Sequence, residues 1–241
     1  MRKSAVLALS GGMDSTALLV HLLANDYEVK AFSFNYGQKH HIELELVKKN
    51  ILLMQSQGLA VSHQIIDIRA VFDDSVSSLV DATLDIPHGH YQEESMKSTV
   101  VENRNAVFAS ILYSKALAWS GRTGHDVVIS LGIHQGDHAI YPDCTAESRD
   151  ALEHAFKISN WGSEKVSYYT PYIETDKAGI LKDLVNCCEK LDLLFEGVLK
   201  NTNTCYSPTQ TGAACGKCGS CQERLEAFGL LGLKDPVLYV G

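Results

Sequence analysis

The stretch AVLALSGGMDSTALLVHLL, residues 5–23, limits the possible folds of this chain more than any other. It begins as a short, almost wholly apolar run, passes through two glycines and emerges with the spacing of a helix. An apolar run of this kind is a strand covered on both faces, the habit of a parallel sheet. Ligands of open parallel sheets gather at the carboxyl ends of the strands, where the first turn delivers a helix N-terminus. Gly11 and Gly12 remove two Cβ atoms, so the backbone can curl its N–H groups around an anion, and Ser10, Ser15 and Thr16 add hydroxyls. The candidate contact set runs from Leu9 through Ser10, Gly11, Gly12, Met13, Asp14 and Ser15 to Thr16. Its alternative is a tight strand-to-helix turn in which Asp14 or Ser15 only caps the helix.

The rest of the chain alternates in the same way. Strands are expected at 29–36, 60–68, 126–132 and 165–172, and helices at 15–25, 41–57, 105–120 and 176–191. That order predicts an α/β fold with a doubly wound parallel sheet. Residues 69–102 lack periodicity and are expected to form a loop over the site or a mobile lid. From 197 onward the helical pattern gives way to Gly, Asn, Thr and Cys, so a main domain at 1–196 and a small appendage at 197–241 are expected.

Composition narrows the function. The 241 residues are 45% hydrophobic and 21% charged, as in ordinary globular proteins. No apolar run approaches the ~20 residues of a membrane span, and Met1-Arg2-Lys3 leads straight into a strand, so a cytoplasmic protein is expected. A net charge of -8, with no basic cluster beyond Lys48-Lys49, argues against nucleic acid and for small-molecule substrates.

Seven cysteines are unevenly spread: Cys144, Cys187 and Cys188 are scattered, whereas Cys205, Cys215, Cys218 and Cys221 cluster. In a chain with no secretion signal such a cluster reads as a metal site. Four thiolates fill a tetrahedron and leave no open position, which suits one structural Zn²⁺. An iron–sulfur cubane is the competitor.

The glycine turn is neither the Gly-x-x-x-x-Gly-Lys-[Ser/Thr] loop nor Gly-x-Gly-x-x-Gly. Ser10-Gly11-Gly12-Met13-Asp14-Ser15 instead resembles the pyrophosphate loop of the ATP pyrophosphatases, which split ATP between its α and β phosphates. Further strings join it: Phe34-Asn35-Tyr36-Gly37-Gln38-Lys39-His40, Asp67, Asn103-Arg104-Asn105, Tyr141-Pro142-Asp143-Cys144, Lys177, Thr204-Cys205-Tyr206 and the run from Cys215 to Arg224. Together they resemble the 7-cyano-7-deazaguanine synthase family over nearly the whole chain.

The resemblance implies an adenine nucleotide α-hydrolase-like fold and an ATP-dependent carbon–nitrogen ligase. Such an enzyme converts 7-carboxy-7-deazaguanine and ammonia to the nitrile through two adenylated intermediates, releasing AMP and pyrophosphate. It also implies a homodimer. Ser10, Gly11, Gly12, Asp14 and Ser15 would hold the pyrophosphate and its Mg²⁺, which offsets the Asp14 carboxylate. Tyr36, Gln38 and His40 would meet nucleotide or substrate, against a reading of Tyr36 as core and His40 as a solvated helix start. Arg104 and Lys177 would neutralise charge, or be surface cations. Asp137, Tyr141 and Asp143 would bind the deazaguanine, Asp143 alternatively capping a helix that begins at Thr145.

Two stretches depart from the family's usual strings. Val101-Glu102-Asn103-Arg104-Asn105 stands where Val-Pro-Gly-Arg-Asn is usual, and Asp137-His138-Ala139-Ile140 where Asp-x-Ser-Gly is usual. They motivate an alternative: a relative that uses the adenylated acid to modify a protein or other amine, as in anti-phage defence.

Overall fold

The computed structural model of the protein describes residues 3–90, 93–136 and 141–240. Five strands, β1 Lys3–Ala8, β2 Tyr27–Asn35, β3 Val61–Asp67, β4 Val127–Ser130 and β5 Val166–Tyr168, form one sheet in the order β3-β2-β1-β4-β5. Every pairing is parallel. The chain steps outward from β1 to β3 and then returns across β1 to β4, so the topological switch lies at the carboxyl end of β1, where a crevice must open.

The helices are α1 Met13–Ala24, α2 Ile42–Ser56, α3 Arg104–Thr123, α4 Ala146–Ser159, α5 Lys177–Lys190, α6 Phe195–Lys200 and α7 Gly219–Leu230. Alternation along β1 divides the core: Ala5 and Leu7 join α1, α2 and α5 on one face, while Val6 joins α3 on the other. Both faces are covered, which is why the strands read as apolar runs.

Element ends follow local chemistry. Asn103 holds a left-handed conformation (φ 53°, ψ 18°) ahead of α3. Asn is among the few residues that tolerate it, so the departure from Gly leaves the backbone path intact. Glu102 turns away to accept Ser75 Oγ at 2.6 Å and the Val76 N–H at 3.3 Å, tacking down the preceding loop. The Thr145 side chain caps α4 by accepting the Ser148 N–H at 3.2 Å. Asp176 caps α5 by accepting the Gly179 N–H at 2.7 Å.

Two expectations change and one open alternative closes. β5 is three residues long rather than spanning 165–172, because its partner β4 ends at Ser130 and offers no further pairing. Of the two readings of 69–102, the described residues 69–90 and 93–102 fit the loop: Phe72, Leu79 and Met96 are buried, and Lys39 N–H bonds the Leu79 carbonyl at 2.9 Å. The cysteine-rich end also contains a helix, α7, which Gly and Cys hid from periodicity.

The 196/197 division falls inside α6, whose Val198 and Leu199 share the first core with Phe228 of α7. Arg224 and Asp235, 2% and 4% exposed at their side chains, form a two-pronged ion pair at 2.7 and 2.9 Å. No described helix is long and apolar enough to cross a membrane.

Candidate active site

The crevice beside β1 opens as a cleft of about 1170 Å³ including its mouth. Its floor is the Ser10–Ser15 turn. Gly11, at φ +95°, packs so closely that a Cβ there would meet the Glu43 carbonyl oxygen at 2.7 Å. Gly132 does the same service after β4, where a Cβ would lie 3.0 Å from the Ser15 backbone. Gly11 thus lets α2 pack against the turn, and Gly132 lets the end of β4 reach the start of α1. The turn is internally braced: the Ser10 and Ser15 hydroxyls lie 2.9 Å apart, and Gly12 N–H donates to Ser10 Oγ at 3.2 Å.

Leu9, Ser10, Gly12, Asp14, Ser15, Tyr36, His40, Arg104, Tyr141 and Lys177 all line the cleft. The other expected residues act from behind it. Gly11 shapes the turn. Met13 and Thr16 are buried, and Thr16 N–H returns to the Gly12 carbonyl at 3.2 Å. Gln38 is buried and donates to Glu43 Oε1 at 2.9 Å and to the Phe34 carbonyl at 3.0 Å. Asp143 is half-buried outside the lining, 3.9 Å from the Cys144 thiol. Asp137, with His138, Ala139 and Ile140, lies outside the described residues.

Charge is arranged in two places. At the turn, Lys177 Nζ, 5% exposed, lies 3.4 Å from Asp14 Oδ2 and 2.6 Å from Glu223 Oε2. Burial by itself would raise the Asp14 carboxyl, but Lys177 and the His134 ring at 3.8 Å outweigh it and hold the group below the carboxylate range. Asp14 Oδ1 is buried with no hydrogen-bond partner among the described residues. An orphaned carboxylate oxygen beside a phosphate-sized turn fits a hard cation. Across the cleft, Arg104 Nη1 donates to Tyr36 Oη at 3.2 Å, and its buried Nε has no partner among the described residues. Phe34 and Phe108 stack at 4.1 Å beneath it, offering a flat wall to an aromatic base.

Glu43 was not visible as a site residue in the sequence, because on α2 it reads as one more solvated charge. It is 5% exposed and lines the cleft. Burial pushes its carboxyl up to about 8, while burial and then Arg104 push the neighbouring His40 down to about 3. A raised carboxyl contributes stability that is complete below its unfolded value and is lost as pH rises through about 8. Glu43→Gln, which keeps the neutral shape, is therefore expected to raise the melting temperature relative to wild type at pH 9 and to change it little at pH 5. An equal shift at both pH values would show that Glu43 stays ionised throughout.

The cysteine quartet converges. The sulfurs of Cys205, Cys215, Cys218 and Cys221 all lie within 4.8 Å of one another, and Cys215 and Cys221 are 3.9 Å apart. Thiolates at ~2.3 Å from one tetrahedral ion are separated by about 3.8 Å, so this set fits a single ion. Hydrogen bonds from Cys205 and Cys221 favour the Cys218 thiolate and hold its thiol below the usual range. Cys218 is also the N-cap of α7, and α7 carries Glu223 and Arg224. Asn203 N–H bonds the Gly11 carbonyl at 2.9 Å, so this end of the chain meets the turn directly.

Comparison with known proteins places the chain among relatives that share its length. The family model described as "Queuosine biosynthesis protein QueC" matches residues 4–232. The chain is 43% identical over 239 residues to 7-cyano-7-deazaguanine synthase 1 of Colwellia psychrerythraea, covering 99% of this chain and 100% of the relative. It is 41% identical over 236 residues to the 7-cyano-7-deazaguanine synthase of Methanoregula boonei, covering 98% of each. A solved 4-thiouridine synthetase in complex with RNA and bound ATP superposes with a TM-score of 0.48 at 17% identity, over 93% of this chain and 50% of that one.

Proposed function

The chain belongs to the family of the queuosine biosynthesis protein QueC, and from that membership we propose that it makes 7-cyano-7-deazaguanine from 7-carboxy-7-deazaguanine and ammonia at the expense of ATP. The observation that carries the reading is the meeting, in one cleft, of the Ser10–Ser15 turn with the Lys177 and Arg104 cations. The named relatives favour this nitrile-forming reading over the protein-modifying one.

A carboxylate resists ammonia because its negative charge must first be lost. Adenylation turns one oxygen into a leaving group: the carboxylate attacks the α-phosphorus, and pyrophosphate departs. Ser10, Ser15 and the turn's N–H groups bind the departing phosphates, and Lys177 stabilises the charge that builds on them. Mg²⁺, with Asp14 as its protein ligand, would neutralise phosphate charge there. Ammonia then displaces AMP and gives the amide. The amide oxygen is adenylated in turn, and loss of AMP and a proton leaves the nitrile. Both rounds activate an oxygen on the same carbon, so one site serves both.

The ring system would lie against Phe34, Phe108 and Tyr141, with Arg104 facing the substrate carboxylate and Tyr36 fixing the guanidinium. Asp137 and Asp143 remain proposed partners of the guanine-like edge. The quartet would hold one structural Zn²⁺. The nucleotide would be held mainly by 1–196, with Thr204 and Glu223 of the metal-bearing 197–241 meeting the same cleft. We place the enzyme in the cytoplasm as a homodimer, for which the exposed Ile158 and Trp161 at the end of α4 offer an apolar surface.

Incubation with the acid, Mg-ATP and ammonium is expected to yield amide and then nitrile by mass spectrometry, with AMP and pyrophosphate as the nucleotide products. ADP as the stoichiometric product would refute the adenylation. Amide without nitrile would show that the second round is absent.

A further inference from the structure

Thr204 sits where the cysteine-bearing segment crosses the glycine turn, and its hydroxyl has a defined set of partners. Oγ1 accepts the Met13 backbone N–H at 3.3 Å and Arg224 Nη1 at 3.1 Å. A threonine hydroxyl offers two acceptor lone pairs and one proton. Both lone pairs are engaged, no acceptor for the proton is found among the described residues, and Thr204 lines the cleft.

Thr202 provides the contrast. It accepts the same Nη1 at 2.8 Å but sends its own proton to the Leu199 carbonyl at 2.6 Å, and it is buried. Of the two hydroxyls that Arg224 touches, one is therefore satisfied within the protein and the other retains a proton for the cleft. Arg224 itself is pinned by both Asp235 oxygens, so the donor that orients Thr204 stays in place. The Met13 N–H, which at a helix N-terminus would ordinarily face an anion, is turned onto this oxygen instead.

We propose that Thr204 donates a hydrogen bond to the phosphate chain of the nucleotide, standing in for the Met13 N–H that it covers. The assignment rests on the adenylation reading above. Phosphate oxygens only accept, which matches a hydroxyl whose neighbours leave it only able to donate. The amide and the guanidinium both polarise the O–H in that direction.

The test is calorimetric titration of zinc-loaded protein with pyrophosphate in the presence of Mg²⁺, and with Mg-ATP. Thr204→Val keeps the shape and removes the hydroxyl, and Thr204→Ser keeps the hydroxyl. The valine variant is expected to bind pyrophosphate about tenfold more weakly with unchanged metal content, and to melt at a lower temperature without ligand because the Met13 N–H and Arg224 Nη1 lose an acceptor, while the serine variant melts and binds as wild type does. Equal binding by valine variant and wild type would overturn this assignment and leave the adenylation reading standing. Weakened binding by the serine variant would overturn it whatever the valine variant does. Failure of the wild-type protein to bind either ligand would remove the adenylation reading, and this assignment with it.

Discussion

Lys177→Met is expected to lower turnover by about two to three orders of magnitude, the usual loss when one charged or donor group is taken from a site where transition-state charge builds. The side chain is 5% exposed and lies between two carboxylates, 3.4 Å from Asp14 and 2.6 Å from Glu223. Methionine fills the same volume but leaves those two acids facing each other with no cation between them. In the wild-type protein the depressed Asp14 carboxyl contributes stability that is present above its unfolded value and lost as pH falls through its folded one. In the variant the sign reverses. Burial then dominates, the carboxyl rises, and stability falls as pH is raised. Thermal melts from pH 4 to 9 and single-turnover release of AMP measure the two effects separately. Turnover near the wild-type rate would take Lys177 out of the adenylation step.

Cys218→Ala is expected to have the largest effect on the folded state. Cys218 is fully buried, contributes one of four converging sulfurs and stands at the N-cap position of α7. Structural zinc in such sites is bound with about 10–16 kcal/mol at neutral pH, so losing a ligand should lower the melting temperature on the order of 10 °C or more. The damage should spread. Glu223 and Arg224 ride on α7, and Asn203 and Thr204 touch the turn, so nucleotide binding should fail together with metal binding. Elemental analysis is expected to find one zinc per wild-type chain, without the brown colour of an iron–sulfur cluster, and much less in the variant. Full metal loading in C218A would end the zinc proposal.

Several features of this enzyme were legible without coordinates. The strand, glycine turn and helix at residues 5–23 are contiguous, so their geometry follows from local sterics and from a burial pattern with a short period. The Cys-x2-Cys spacings carry their own distance constraint. The cap of α4 lies two residues later than the sequence reading puts it, since Thr145 rather than Asp143 accepts the first-turn N–H.

Other features needed the chain to close on itself. Glu43 is a cleft residue because α2 packs against Gly11, and on α2 alone it could not be told from the neighbouring Glu45. Helix α7 was hidden because its start is held by cysteines rather than by an apolar stripe. Thr204 is separated from Met13 by 191 residues, yet its hydroxyl meets that N–H directly.

The sequence by itself determined the alternation of strands and helices, the glycine turn and the cysteine knuckle, because each is encoded in residues a few positions apart. Only the tertiary structure decided that the knuckle's helix is built into the cleft beside the glycine turn. That joint depends on Lys177–Glu223 and Met13–Thr204–Arg224 contacts between distant segments, and no local pattern carries the chain-closure geometry that brings them together.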